Sequence, residues 1–170
     1  GWVMNVDKNG YPIWEKTYGD NGEDGFNMIM RSKDNNFIAV GYSESFFSKG
    51  MKDVLMVKID SLGNKMWMNL YGGKSDDIAN SVFECKDSGF AIAGETTSFG
   101  SGKNDILILK TNSNGVQKWK STIGGKGVDI GRSIEELPKG GFIVSGTSTI
   151  SNLSFDSILI KTDKKGKTSN

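Results

Sequence analysis

Three aspartates, Asp24, Asp77 and Asp129, recur 53 and 52 residues apart, each after a glycine-rich turn and before an apolar stretch. Equivalent carboxylates could share acid–base work, as the pair of a glycoside hydrolase does, but that reaction needs two carboxyls in distinct environments at a set separation. They could also offer oxygen to a hard cation. Repetition favours a plainer role. A residue needed once for a reaction has no reason to return in every copy, whereas one that ties down the backbone N–H groups of its own turn does.

A second polar feature reads Asp7-Lys8-Asn9-Gly10, Asp60-Ser61-Leu62-Gly63, Asn112-Ser113-Asn114-Gly115 and Asp163-Lys164-Lys165-Gly166. Asp or Asn at the first position accepts the N–H two residues on, and glycine at the fourth takes positive φ as a type I turn passes into a bulge. Each segment is therefore predicted to be a tight hairpin. A calcium loop would alternate several acidic or amide oxygens and add a downstream Glu, so no metal site is assigned. The chain contains no histidine, the side chain most used for proton transfer near neutral pH. Its one cysteine, Cys85, has no histidine to activate it and reads as a small apolar filler of a strand. No catalytic residue and no cofactor follow from this inventory, and the chain is read as no enzyme. With 21 basic and 20 acidic residues the net charge is +1 and no basic block stands out, so nucleic-acid binding is not expected. The longest apolar run, Val54 to Val57, is far too short to insert in a membrane.

The elements that position these residues are set by a repeat. Trp14, Trp67 and Trp119 lie 53 and 52 residues apart, and Gly10, Gly63, Gly115 and Gly166 keep spacings of 53, 52 and 51. Gly41, Gly94 and Gly146 follow the same interval, as do Asp53, Asp105 and Asp156. Within the unit from Asp77 to Gly125, four short apolar runs alternate with turn residues: Ile78–Cys85, Phe90–Thr96, Ile106–Leu109 and Gln117–Ile123. Such runs, rich in Val, Ile and aromatics, are strands. The third is almost wholly apolar, as a strand covered on both faces would be. A sheet of four short strands cannot cover both its faces alone, so copies must stack. Face-to-face stacking is expected to bury Val54–Val57, Ile106–Leu109 and Ile158–Ile160. Small residues beside the second-strand glycines, Ala39, Ala93 and Ser145, are expected to let sheets approach each other. The predicted fold is all-β, a β-propeller of about three four-stranded blades forming a partial ring.

The segment Ile59 to Trp67, followed by Tyr71-Gly72-Gly73, resembles the tryptophan-docking repeat of quinoprotein-type propellers, with glycine four residues before tryptophan. A closer similarity is to the SBBP-type seven-bladed propeller repeats of exported bacterial and archaeal proteins. It is carried by Gly72-Gly73, Asp76-Asp77, Ser81, Gly89-Phe90, Ala93-Gly94, Ser98-Phe99-Gly100, Asp105, Leu107 and Gly63-Asn64. The resemblance implies an extracellular or cell-surface setting, although no signal peptide is present in this chain. It also implies outer-strand tryptophans that pack onto the next blade, and a scaffold in place of an activity.

In the blade order of these families, residues 1–18 form half a blade, 26–71 and 78–123 whole blades, and 130–162 an incomplete one. A partial ring would expose apolar faces, so the chain is expected either to be part of a longer polypeptide or to form a homo-oligomer. Ligands of propellers meet the loops at one end of the ring. The variable connections here are Ser43–Lys52, Thr96–Asn104 and Thr147–Phe155, which offer Phe46, Phe47, Phe99, Asn104, Asn152 and Phe155 to a protein or glycan partner. The preferred function is a non-catalytic interaction module, with a carbohydrate-binding propeller second and a carboxylate hydrolase third.

Overall fold

The first three Asx-x-x-Gly turns each join two antiparallel strands, and among the described residues thirteen strands follow from that alternation of turn and apolar run. The computed structural model describes residues 1–45, 51–151 and 154–168. The strands are β1 (Trp2–Val6), β2 (Pro12–Thr17), β3 (Asp24–Arg31), β4 (Phe37–Ser43), β5 (Asp53–Ile59), β6 (Lys65–Tyr71), β7 (Asp77–Glu84), β8 (Phe90–Thr96), β9 (Asp105–Thr111), β10 (Gln117–Ile123), β11 (Asp129–Glu136), β12 (Phe142–Ser151) and β13 (Ser154–Lys161). They form four antiparallel sheets in simple sequence order: β1-β2, β3-β4-β5-β6, β7-β8-β9-β10 and β11-β12-β13. The fold is all-β, and no helix occurs among the described residues.

The sheets stack, and the core lies between them in three apolar layers. Tyr18, Leu55, Val57 and Ile59 fill the first with Val3, Trp14 and Phe37. Ile38, Val40, Val54, Met56, Phe90, Ile92, Leu107 and Leu109 fill the second. Ala91, Ala93, Ile106, Ile108, Ile134, Phe142, Val144 and Ile160 fill the third. Alternation along a strand divides its side chains between two layers. On β9, Ile106 and Ile108 face the fourth sheet while Leu107 and Leu109 face the second. This is why β5 and β9 are buried at every residue, each large aliphatic side chain contributing about 1.5–3 kcal/mol.

Two expectations are corrected. Of Ile158–Ile160, Ile160 is buried and Ile158 packs on the third layer, but Leu159 is 70% exposed, because no sheet among the described residues covers the far side of β13. The segment Thr147–Phe155 is not one open loop, since β12 runs on to Ser151 and β13 begins at Ser154, with Ser151 paired to Ser154. The β-branched Thr147 and Thr149 favour extension, and the Thr149 N–H bonds the Val128 carbonyl. The second-strand glycines answer first to their own sheet, and Gly94 also to the next, whose Gly131 would bring a Cβ to 3.1 Å from the Gly94 carbonyl oxygen. Gly41, Gly94 and Gly146 each lie opposite a bulge in the first strand. An added Cβ would stand about 2 Å from the carbonyl oxygens of Gly25, Ile78 and Ile130, well inside van der Waals contact.

Candidate functional site

The recurring aspartates begin the first strand of each complete or nearly complete sheet, where the chain turns in from the preceding sheet. Asp77 Oδ2 accepts the Gly73 N–H (2.8 Å) and the Ser98 hydroxyl (2.7 Å). Asp24 Oδ2 accepts the Asp20 N–H (3.1 Å) and the Ser45 hydroxyl (2.8 Å), and Asp129 Oδ2 accepts the Gly125 N–H (2.8 Å). Asp105, at the head of β9, takes the N–H groups of Ser101 and Gly102 at 3.0 and 3.1 Å. These carboxylates fasten loops.

Asp24, Asp77 and Asp129 do not come together. Among the described residues no three acidic or cysteine side chains converge as a metal-ligand set. What the fold does bring together are carboxylates of different strands, Asp53 with Asp77 and Asp105 with Asp129, around the first residue of each glycine pair. A Cβ on Gly72 would lie 1.8 Å from Asp53 Oδ1 and 2.9 Å from Asp77 Oδ2, and one on Gly124 2.3 Å from Asp105 Oδ1 and 2.7 Å from Asp129 Oδ2. All four carboxylates are buried, so neither pair presents a face to a substrate. The sequence showed the aspartates and the glycine pairs separately; only the juxtaposition of β5 with β7, and of β9 with β11, shows why they occur together.

The turn glycines and tryptophans meet across sheets. A Cβ on Gly63 would touch the Trp14 ring at 2.9 Å, one on Gly115 the Trp67 ring at 2.9 Å, and one on Gly166 the Trp119 ring at 2.6 Å. Each tryptophan thus lies under the turn of the following sheet, and Trp67 and Trp119 also pack on Phe90 and Phe142 at centroid distances of 6.3 and 5.7 Å. The Trp14 indole N–H reaches the Ser61 carbonyl at 3.1 Å. Around Gly10 nothing lies within 4 Å, as no sheet precedes it here. The Asx side chains close the turns as expected: Asp60 Oδ1 accepts the N–H groups of Leu62 and Asn64, and Asn112 Oδ1 those of Asn114 and Val116.

Two further sets of residues join the sheets and were not anticipated. The hydroxyls of Tyr18 and Tyr71 donate to the carbonyls of Gly63 and Gly115 at 2.7 and 2.5 Å, and burial raises both phenols above their ordinary value. The side-chain amides of Asn27 and Asn80, themselves 53 residues apart, donate to the carbonyls of Ala79 and Gly131. Their signal was the same interval, but Ile123 and Arg132 break it in the next copy.

Of the proposed loop residues, Phe46, Phe47 and Asn152 lie outside the described residues. Phe99 is capped, with Lys120 Nζ 3.1 Å from its ring centroid; burial lowers that ammonium from its ordinary value against the opposing pull of Asp77. The Asn104 amide is held by Glu95 Oε2 at 2.8 Å. Phe155 is exposed on β13. Cys85 is wholly buried, and desolvation pushes its thiol up to about 11, which leaves it un-ionised near neutral pH.

The comparisons add the fold and no activity. No family model matches the chain, and no curated protein matches it. Among solved structures the chain is similar to a protein of unknown function from Bacteroides caccae, at 15% identity and a TM-score of 0.58. The match covers 99% of this chain and 53% of that one. The chain therefore spans about half the length of the structure it matches.

Proposed function

We propose that this chain is a segment of a β-propeller that serves as a non-catalytic scaffold or interaction module of an exported or cell-surface protein, in the manner of the SBBP-type repeats it resembles. The observation that carries this reading is the fate of the repeated polar residues. The first-strand aspartates seal loops, and the turn aspartates close hairpins. Trp14, Trp67 and Trp119 lie beneath the turns of the following sheet, and the first-strand aspartates Asp77 and Asp129 are buried. Sequential four-stranded meanders stacked through apolar layers are the construction of propeller blades, and the similarity to a chain about twice as long supports continuation of the array.

The end faces support completion by further repeats or by a second copy, since Trp2, Met4 and Ile13 are exposed at one end and Phe155 and Leu159 at the other. Individual replacement of Asp24, Asp77 and Asp129 by Asn tests the non-catalytic role. Each variant is expected to lower Tm and to leave any partner binding in proportion to the folded fraction. Loss of a hydrolytic activity in one variant alone, at unchanged Tm, would overturn the reading in favour of a carboxylate enzyme.

A further inference from the structure

The repeat provides its own control, because the junction between the second and third sheets recurs between the third and fourth. Shared residues recur at both. The ion pair Lys58–Asp34 (2.6 Å) within the second sheet returns as Lys110–Asp87 (2.9 Å) within the third. The Lys33 N–H on Glu84 returns as the Lys86 N–H on Glu136, both at 2.7 Å. Five lining positions depart from the pattern. Met66 is replaced by Lys118, Asp87 by Lys139, Ser113 by Lys164, Lys86 by Pro138 and Ser88 by Gly140.

Three of them bring in a lysine and one removes a lysine, so this place gains two lysines and loses one acid. A cleft of about 540 Å³ lies here, lined by Lys86, Lys110, Lys118, Lys139 and Lys164 against only Asp87 and Glu136, with the Trp119 ring in its wall. At the equivalent positions of the preceding junction three lysines face three acids (Lys33, Lys58, Lys86; Asp34, Glu84, Asp87). Both acids of the cleft are already engaged. Asp87 accepts Lys110 and Lys118 at 2.9 and 3.0 Å together with the Gly89 N–H, and Glu136 accepts the Lys86 N–H. Among the described residues Lys139 and Lys164 form no ion pair. The stem of Lys164 crosses Gly140, where a Cβ would stand 2.4 Å from its Cε, so the missing side chain is what lets this lysine lie at the rim. In the fourth sheet Lys161 occupies the place of Lys58 and Lys110, and the aspartate that should face it has become Lys139.

Uncompensated like charge opposes a compact state, and a bound anion removes that opposition. We propose that this cleft binds a small polyanion, a molecule carrying two or more phosphate, sulfate or carboxylate groups that bridge Lys118 to Lys139 and Lys164. Its volume falls within the range of about 300–1,000 Å³ usual for small-molecule sites, and the Trp119 ring offers an apolar wall for the body of the ligand. The cleft needs only the third and fourth sheets, whatever completes the array on either side.

Calorimetric titration with sodium tripolyphosphate, and separately with a sulfated uronate disaccharide, tests this on the whole chain at low and high salt. Trp fluorescence is a parallel readout. At least one probe is expected to bind with one-to-one stoichiometry and to weaken with salt. The triple variant Lys118→Met, Lys139→Asp, Lys164→Ser restores the preceding junction at the three positions that gained a lysine; it is expected to weaken binding by at least about tenfold, since each lost ammonium removes a phosphate-type contact, while its Tm is unchanged or raised. Lys103→Ser, outside the cleft, should leave binding as it is. Binding of tripolyphosphate alone assigns a phosphate ligand, and binding of the disaccharide alone an acidic sugar. If the triple variant fails to fold, Lys118→Met and Lys164→Ser singly are each expected to weaken binding about threefold. No one-to-one binding of either probe, or equal binding by the folded lysine variants, would overturn the proposal.

Discussion

At Asp77 one carboxylate oxygen holds two segments of chain, the Gly73 N–H and the Ser98 hydroxyl, with the residue fully buried. Asp77→Ala leaves that N–H and hydroxyl without an acceptor and is expected to cost about 1–3 kcal/mol in urea denaturation. Asp129, which among the described residues holds only the Gly125 N–H, is expected to cost less on the same substitution. The half-exposed Asp34 and Asp87 behave differently, being tied to lysines. Burial alone would raise their carboxyls; Lys58 at one and Lys110 and Lys118 at the other, together with neighbouring hydrogen-bond donors, outweigh it and hold both well below the ordinary value of 3.8. A depressed carboxyl contributes stability above its unfolded pKa and loses it as pH falls through the folded one. Asp87→Asn is therefore expected to lower Tm at pH 7, and the deficit should shrink as melts are taken progressively below pH 3.8. Added salt should also reduce it, as the pair is open to solvent.

Among elements, the hairpin between third and fourth strands was the most legible in sequence, because its Asx and glycine have local duties. Gly10 and Gly115 both adopt positive φ, 87° and 75°. Their tertiary duties differ and could not be read locally: a Cβ at Gly115 would lie 2.3 Å from Asn69 and 2.9 Å from Trp67, whereas Gly10 has open space. Both Gly→Ala variants incur the backbone cost of about 1 kcal/mol, and Gly115→Ala is expected to lose at least about 1 kcal/mol more through lost stacking on Trp67. Equal losses in denaturant titrations would show that the turn does not bear on the neighbouring sheet. The extension of β12 and β13 was hidden by serine and asparagine in Thr147–Phe155, whose composition reads as loop while the ladder from Thr147↔Ser157 to Ser151↔Ser154 carries the strands on. The basic cleft was equally illegible. Lys118, Lys139 and Lys164 sit on three different segments, and no basic block marks them until the third and fourth sheets meet.

For the molecule as a whole, the apolar layers define what the ends lack. Each inner sheet has a neighbour on either side, and its third strand is buried throughout. β1, in the two-stranded first sheet, and β13 correspond in the repeat to β5 and β9 but have a neighbouring sheet on one side only. They expose Trp2 at 56% and Met4 at 40%, and Phe155 at 64% and Leu159 at 70%. β13 also presents an unpaired edge, because the fourth sheet has three strands where the second and third have four. Apolar side chains repeated along a flat strand with a free edge favour association. The isolated chain is expected to self-associate at micromolar concentrations in sedimentation velocity and to bind a hydrophobic dye. Met4→Lys and Leu159→Lys should shift it toward monomer with little change in Tm, since neither side chain supports a layer of its own. A wild-type chain that sediments as a dye-silent monomer across that range would remove the need for covering sheets, and with it the case for a longer array or an oligomer.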